Sequence, residues 1–182
     1  MYFQNLEVFE TEKFQYLLIH KNGSKSVRKC MEQFNPVFRT YPNPNNNTVK
    51  WTVIRDPYER FISGLNYNVN KHNIDPTEIN YLEPFNNGTV NLKSRVLGHV
   101  NHCISQVSYL INVNIDYYVD IKDLHLFLKM HFGESAWVNK QPNKSPLINK
   151  NEVMKYLNFD YYVYNKIKDS NNFWNWTQGK IF

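Results

Sequence analysis

Six consecutive residues, Lys21, Asn22, Gly23, Ser24, Lys25 and Ser26, follow the apolar run Tyr16-Leu17-Leu18-Ile19 after a single His20. A loop of this make-up can wrap an anion. Glycine permits the tight turn, backbone N–H groups point inward and lysine supplies charge. If a helix starts there, its unsatisfied first-turn amides and positive dipole end serve the same ligand. A second cationic feature follows at Arg55-Asp56-Pro57, with Ser63 downstream. Arginine offers a planar fork that grips a phosphate through paired hydrogen bonds. Two cationic poles in separate loops suit a ligand with two separate anionic groups.

The nucleoside-triphosphate loop, GxxxxGK followed by Ser or Thr, is the first comparison. Residue 18 is Leu where that pattern needs its early glycine, and the second apolar run ends in Arg55 rather than in a magnesium-holding acid. The residues therefore point to a ligand bound without a divalent ion. Lys21-Asn22-Gly23-Ser24-Lys25-Ser26 resembles the 5′-phosphosulfate loop of sulfotransferases, whose usual form is P-K-x-G-S/T-T-S/T. The segment Val53 to Gly64, VIRDPYERFISG, resembles their 3′-phosphate motif R-D-P-x-x-R-x-x-S at every defining position. Weaker likenesses to the carbohydrate (type 2) branch follow at His102-Cys103-Ile104-Ser105-Gln106, Tyr118 to Leu124, Asn143-Lys144-Ser145 and Phe159 to Tyr164. The chain departs from the pattern at His20, where the family has Pro, and at Lys25, where it has Thr.

The resemblance implies 3′-phosphoadenosine-5′-phosphosulfate (PAPS) as donor, 3′-phosphoadenosine-5′-phosphate (PAP) as product, no metal, and a hydroxyl acceptor, a carbohydrate in this branch. Lys21 would stabilise charge on the leaving phosphate. The amides of residues 22–26 would hold the 5′-phosphate, and Arg55 and Ser63 the 3′-phosphate. Arg60 is open between phosphate contact and surface charge. Lys144 and Ser145 would close over the 3′-phosphate. His102 and His99 are the candidates for the acceptor's general base. Those two histidines with Cys103 are also weighed as metal ligands, but a fourth ligand is not evident. Two other functions stay open: a P-loop nucleotide kinase or NTPase, and a non-catalytic relative that binds nucleotide or glycan.

Positioning these residues takes an α/β chain. The expected fold is a P-loop-like three-layer arrangement with a central parallel sheet flanked by helices, because strand and helix patterns alternate. Strands are expected at Gln15–His20, Val49–Ile54 and Ile115–Ile121. Helices are expected at Lys25–Phe34, from Pro57 with Asp56 as N-cap to about Val69, at Leu92–Ile111, at Leu124–Phe132, and in two pieces over Asn151–Asp169. On the Leu92–Ile111 helix, His99 and His102 would share a face with Gln106. Residues 1–13 read as a polar lead-in with a short edge strand, 35–47 as a Pro/Asn loop, and 133–148 as a loop. Residues 70–92 read as a lid or insertion, and 170–182 as an aromatic tail packing back on a single domain.

The net charge of +5 suits anionic ligands and falls short of a polybasic nucleic-acid tail, so no nucleic-acid partner is expected. Two cysteines make no disulfide framework. The charged start MYFQNLEVFETEKF lacks a secretory apolar core, and no apolar run reaches membrane-spanning length. A soluble, cytoplasmic protein is the expectation. Its compact length leaves the acceptor site open or completed by a second subunit in a homodimer.

Overall fold

The computed structural model describes residues 7–40, 48–73, 75, 82, 103, 105–110, 113–133 and 148–179. It is an α/β fold whose five strands form one mixed sheet: β1 (Val8–Glu10), β2 (Phe14–Leu17), β3 (Val37–Arg39), β4 (Val49–Ile54) and β5 (Tyr117–Asp120), in the order β3-β1-β2-β4-β5. The expectation of a wholly parallel sheet is corrected. Only β2, β4 and β5 run parallel; β1 is antiparallel to both β2 and β3. The cause is local: Thr11 to Lys13 is too short for a crossover and closes a hairpin, with the Thr11 amide donating to the Phe14 carbonyl at 2.9 Å. The N-terminal strand is therefore internal, not an edge. The edge on that side is β3, which lies within the stretch expected to be loop.

Among the described residues five helices accompany the sheet: α1 (Ser24–Met31), α2 (Pro57–His72), α3 (Leu124–Phe132), α4 (Lys150–Tyr156) and α5 (Asn158–Lys168). α1 gives way to a 3₁₀ turn at Glu32–Phe34. α2 starts as expected, with Pro57 in its first turn and the Asp56 carboxylate accepting from the Glu59 amide at 3.0 Å. It runs further than expected, so residues 70–72 belong to helix rather than to a lid; left-handed Asn73 caps it. The break between α4 and α5 falls at Leu157, which is buried against Phe61, Leu65 and Val153.

One face of the sheet carries an aromatic core. Trp51 is fully buried, with ring centroids 4.7 Å from Tyr16 and 4.6 Å from Phe127. α1 and α3 cover this face through Val27, Met31, Leu124 and Leu128. The opposite face buries Val8, Leu17 and Ile19 under Tyr109 and Ile115. The tail does pack back: Tyr118 exchanges 2.8 Å backbone hydrogen bonds with Asn172 and Trp174, and Trp174 is fully buried beside Phe127. Cys30 and Cys103 are both buried and not joined. Among the described residues no helix is long and apolar enough to cross a membrane.

Candidate functional site

The carboxyl ends of β2, β4 and β5 lie side by side, and a ligand crevice of a parallel sheet opens at such ends. The β2–β4 pairing stops at Leu17 and Thr52, where the Thr52 hydroxyl donates to the Leu17 carbonyl at 2.7 Å. The chain then turns through Lys21 to Gly23 into α1. Both Lys21 (φ 69°) and Gly23 (φ 77°) are left-handed. Between them Asn22 is fully buried, and its amide group donates to the Val53 carbonyl at 2.7 Å and to Gln106 Oε1 at 3.2 Å. Asn22 is thus the peg that fixes the loop to β4, and it does not face a ligand with its amide donors.

The amides of Asn22, Ser26 and Val27 are spent on the carbonyls of Ile19 and Gly23. Among the described residues no acceptor meets the amides of Gly23, Ser24 and Lys25. The first turn of α1 contains no acidic residue and contains Lys25, which is exposed. A lysine at a helix N-terminus opposes the dipole, so this turn is electrostatically poised for an anion. Gly23 also has a packing reason. A Cβ there would lie 2.5 Å from Leu124 Cδ2. Gly23→Ala is therefore expected to cost about 2–5 kcal/mol, from left-handed strain plus overpacking. Gly133→Ala is the control: its φ is 80° but nothing lies within 4 Å, so it should cost only about 1–2 kcal/mol. Thermal unfolding of the two variants measures this; equal losses would remove the packing argument.

Arg55 leaves the end of β4 with its backbone clasped by one side chain. Gln106 Nε2 donates to the Arg55 carbonyl at 2.7 Å, and Gln106 Oε1 accepts from the Arg55 amide at 3.3 Å. The carboxamide imitates a strand neighbour. The Arg55 guanidinium reaches the Lys21 backbone carbonyl through Nη1 at 3.3 Å, so the second pole touches the backbone of the first loop. Its Nε lies 3.6 Å from the Glu59 carboxylate, too far for a good hydrogen bond. Arg60 is not a surface charge. It is 3% exposed and donates through Nε to the His20 carbonyl at 3.0 Å, holding the strand end before the loop. Ser26 and Ser63 are both half-buried, and no described contact links Ser63 to Arg55.

α5 braces this whole end through three side chains. Buried Asp160 accepts from the Gln106 amide at 3.0 Å. Tyr161 Oη donates to both Asp56 carboxylate oxygens, at 2.9 and 3.0 Å. Tyr164 Oη donates to Asp120 Oδ2 at 2.8 Å. Burial pushes both phenols up, and their carboxylate partners add to it, so each stays a donor across the physiological range. The sequence marks Gln106 only as the end of a weak likeness and as a helix-face neighbour of the histidines; its clasp on Arg55 is seen in the structure alone. The expected continuous helix over Leu92–Ile111 is corrected where it is described. Ser105 is non-helical and accepts from the Val107 amide, opening a 3₁₀ turn at Gln106–Tyr109. His99, His102, Lys144 and Ser145 lie outside the described residues.

Lys21 carries the clearest electrostatic signature. Its amine is pulled down from 10.5 to about 8, first by burial and next by Lys25, with Arg55 and Arg60 adding and Cys103 opposing. Cys103 is itself pushed up to about 12 by burial and so is a neutral thiol. The shift lies downward, so the unfolded chain holds the Lys21 proton longer. This group's contribution to stability therefore rises as pH climbs from about 8 to 10.5. Anion binding runs the other way, because it needs the ammonium. The expected affinity for an anion at Lys21 falls as pH rises above about 8, and Lys21→Ala should lose that dependence. An affinity for inorganic sulfate that is flat from about pH 7 to 9 in the intact protein would contradict this assignment.

Comparison with protein-family models, with curated proteins and with solved structures found no match for this chain.

Proposed function

We propose that the chain is a sulfotransferase that moves a sulfuryl group from PAPS to a hydroxyl acceptor, a carbohydrate in the branch its motifs resemble. The supporting observation is the contact between the two loops: the Arg55 guanidinium meets the Lys21 backbone carbonyl beside a helix start with open amides and no acid. A 5′-phosphosulfate would sit at the amides of Gly23 to Lys25, and a 3′-phosphate at Arg55 with Ser63. Lys21 would stabilise the leaving phosphate as the S–O bond breaks and the acceptor oxygen attacks sulfur in line. Lys25, exposed in the first turn of α1, adds positive potential where the family has a threonine hydroxyl. The P-loop-like three-layer arrangement, the His102 or His99 base and the closing contacts of Lys144 and Ser145 belong to this reading, as does a homodimer that would complete the acceptor site.

A thermal-shift series with PAP, ADP and ATP, with and without Mg²⁺, tests it. Stabilisation by PAP that does not depend on Mg²⁺ is the expected result, and no shift with PAP sinks the reading. One observation favours a nucleotide kinase or NTPase instead. β5, next to β4, ends in a buried acid, Asp120. Its carboxylate accepts from Tyr164 Oη and from the Lys122 amide at 3.0 Å, which occupies it with structural work. Stabilisation by ATP only with Mg²⁺, lost in Asp120→Asn, would select that reading.

A further inference from the structure

Among the described residues Lys21 has no carboxylate partner. The groups that act on its charge are Lys25, Arg55, Arg60 and the neutral Cys103 thiol. What its ammonium touches is a ring: Nζ lies 3.7 Å from the centroid of Tyr67, on α2. That is close for a cation–π contact, whose range extends to about 6 Å. Tyr67 stands one helical turn beyond Ser63, so the two share a helix face, and Lys71 lies over the same ring at 5.6 Å. We infer that Tyr67 is a positioning residue, whose ring face holds the Lys21 ammonium in place without neutralising it.

The choice of a ring has a physical consequence. A carboxylate would fix an ammonium equally well, but it would carry a full opposite charge into the site and compete with an anionic ligand. An aromatic quadrupole attracts a cation at contact, and its field decays faster with distance than that of a charge. A ligand beyond the ammonium therefore meets nearly the whole positive charge. The ring also narrows where a long side chain can place that charge. A lysine stem otherwise loses rotamer freedom each time it engages a ligand. This inference rests on the sulfuryl-transfer reading for its kinetic consequence, and on the geometry alone for the contact.

The test separates the two. In protein labelled with ¹³C-lysine, the Lys21 ε-methylene signal is assigned by its loss in Lys21→Arg. It should lie upfield of the other lysines through the ring current, stay there in Tyr67→Phe, and move to the common position in Tyr67→Leu. In donor kinetics Tyr67→Leu should lower kcat roughly 2- to 30-fold with little change in KM, as expected for loss of one cation–π contact, and Tyr67→Phe should restore most of it. An unshifted Lys21 signal in the intact protein overturns the inference, as does a Tyr67→Phe defect equal to that of Tyr67→Leu. A shifted signal in a protein that neither binds PAP nor transfers sulfate overturns the functional reading. The positioning role is then read from inorganic pyrophosphate titrated by calorimetry, where Tyr67→Leu should bind roughly 2- to 30-fold more weakly and equal affinity overturns it.

Discussion

Lys21→Ala is expected to lower sulfuryl transfer roughly 100- to 1,000-fold in kcat, the range typical for removing one group that stabilises transition-state charge. Donor affinity should change far less, because the open amides of Gly23 to Lys25 and the Arg55 fork remain. The measurement is a comparison of kcat with PAP affinity in the variant and the parent. Equal losses in both would mean that Lys21 binds the ground state and the transition state alike, and the catalytic role would fall. Folding should not confuse the result. The Lys21 backbone is left-handed, and alanine keeps that strain while removing a half-buried charge whose amine is already held at about 8. A Tm equal to or above that of the parent is therefore expected below pH 8.

Arg55→Ala should weaken PAP roughly 30-fold to several thousand-fold, the range for truncating one partner of a desolvated, hydrogen-bonded charge pair. The expected readout is loss of the PAP-dependent thermal shift. The scaffold should survive, because Gln106 holds the backbone of residue 55 and not its side chain. Among the described residues the guanidinium contacts that disappear are the 3.3 Å hydrogen bond to the Lys21 carbonyl and the 3.6 Å ion pair to Glu59. Glu59→Gln is the opposing variant. It removes the carboxylate 3.6 Å from Arg55 Nε and should tighten PAP modestly. If both variants weaken PAP equally, the Arg55–Glu59 pair is structural and the 3′-phosphate assignment is lost.

Some of this fold is legible in the residues themselves. VKWTVI is dense in strand formers and Asp56-Pro57 is a local helix start, so β4 and the beginning of α2 follow from neighbours in sequence. Leu124–Phe132 likewise carries its own spacing and ends at Gly133. β1 and β3 have three residues each, too few for periodicity to register, and their pairing depends on a hairpin and a sheet assembled from distant segments. The site divides the same way. Lys21, Gly23 and Arg55 are legible by type and spacing. Gln106, Asp160, Tyr161 and Tyr164 fall within the weaker likenesses, but the residues alone assign them no partners; Tyr67 carries no signal, because a tyrosine on a helix has no distinguishing pattern. Their roles exist only once the strand ends are brought together.

That last point has a kinetic side. The bonds that stitch the site span long stretches of chain: Asn22 to Gln106 is 84 residues, Gln106 to Asp160 is 54, and Tyr161 to Asp56 is 105. Contacts so distant in sequence carry the largest loop-closure cost and form late in folding. The anion loop thus has no native shape in a half-folded chain, and its amides should exchange with solvent through the same large opening that frees α5. An anion held at Gly23 should then slow hydrogen exchange not only in α1 but also around Tyr161 and Tyr164, on a helix that it never touches.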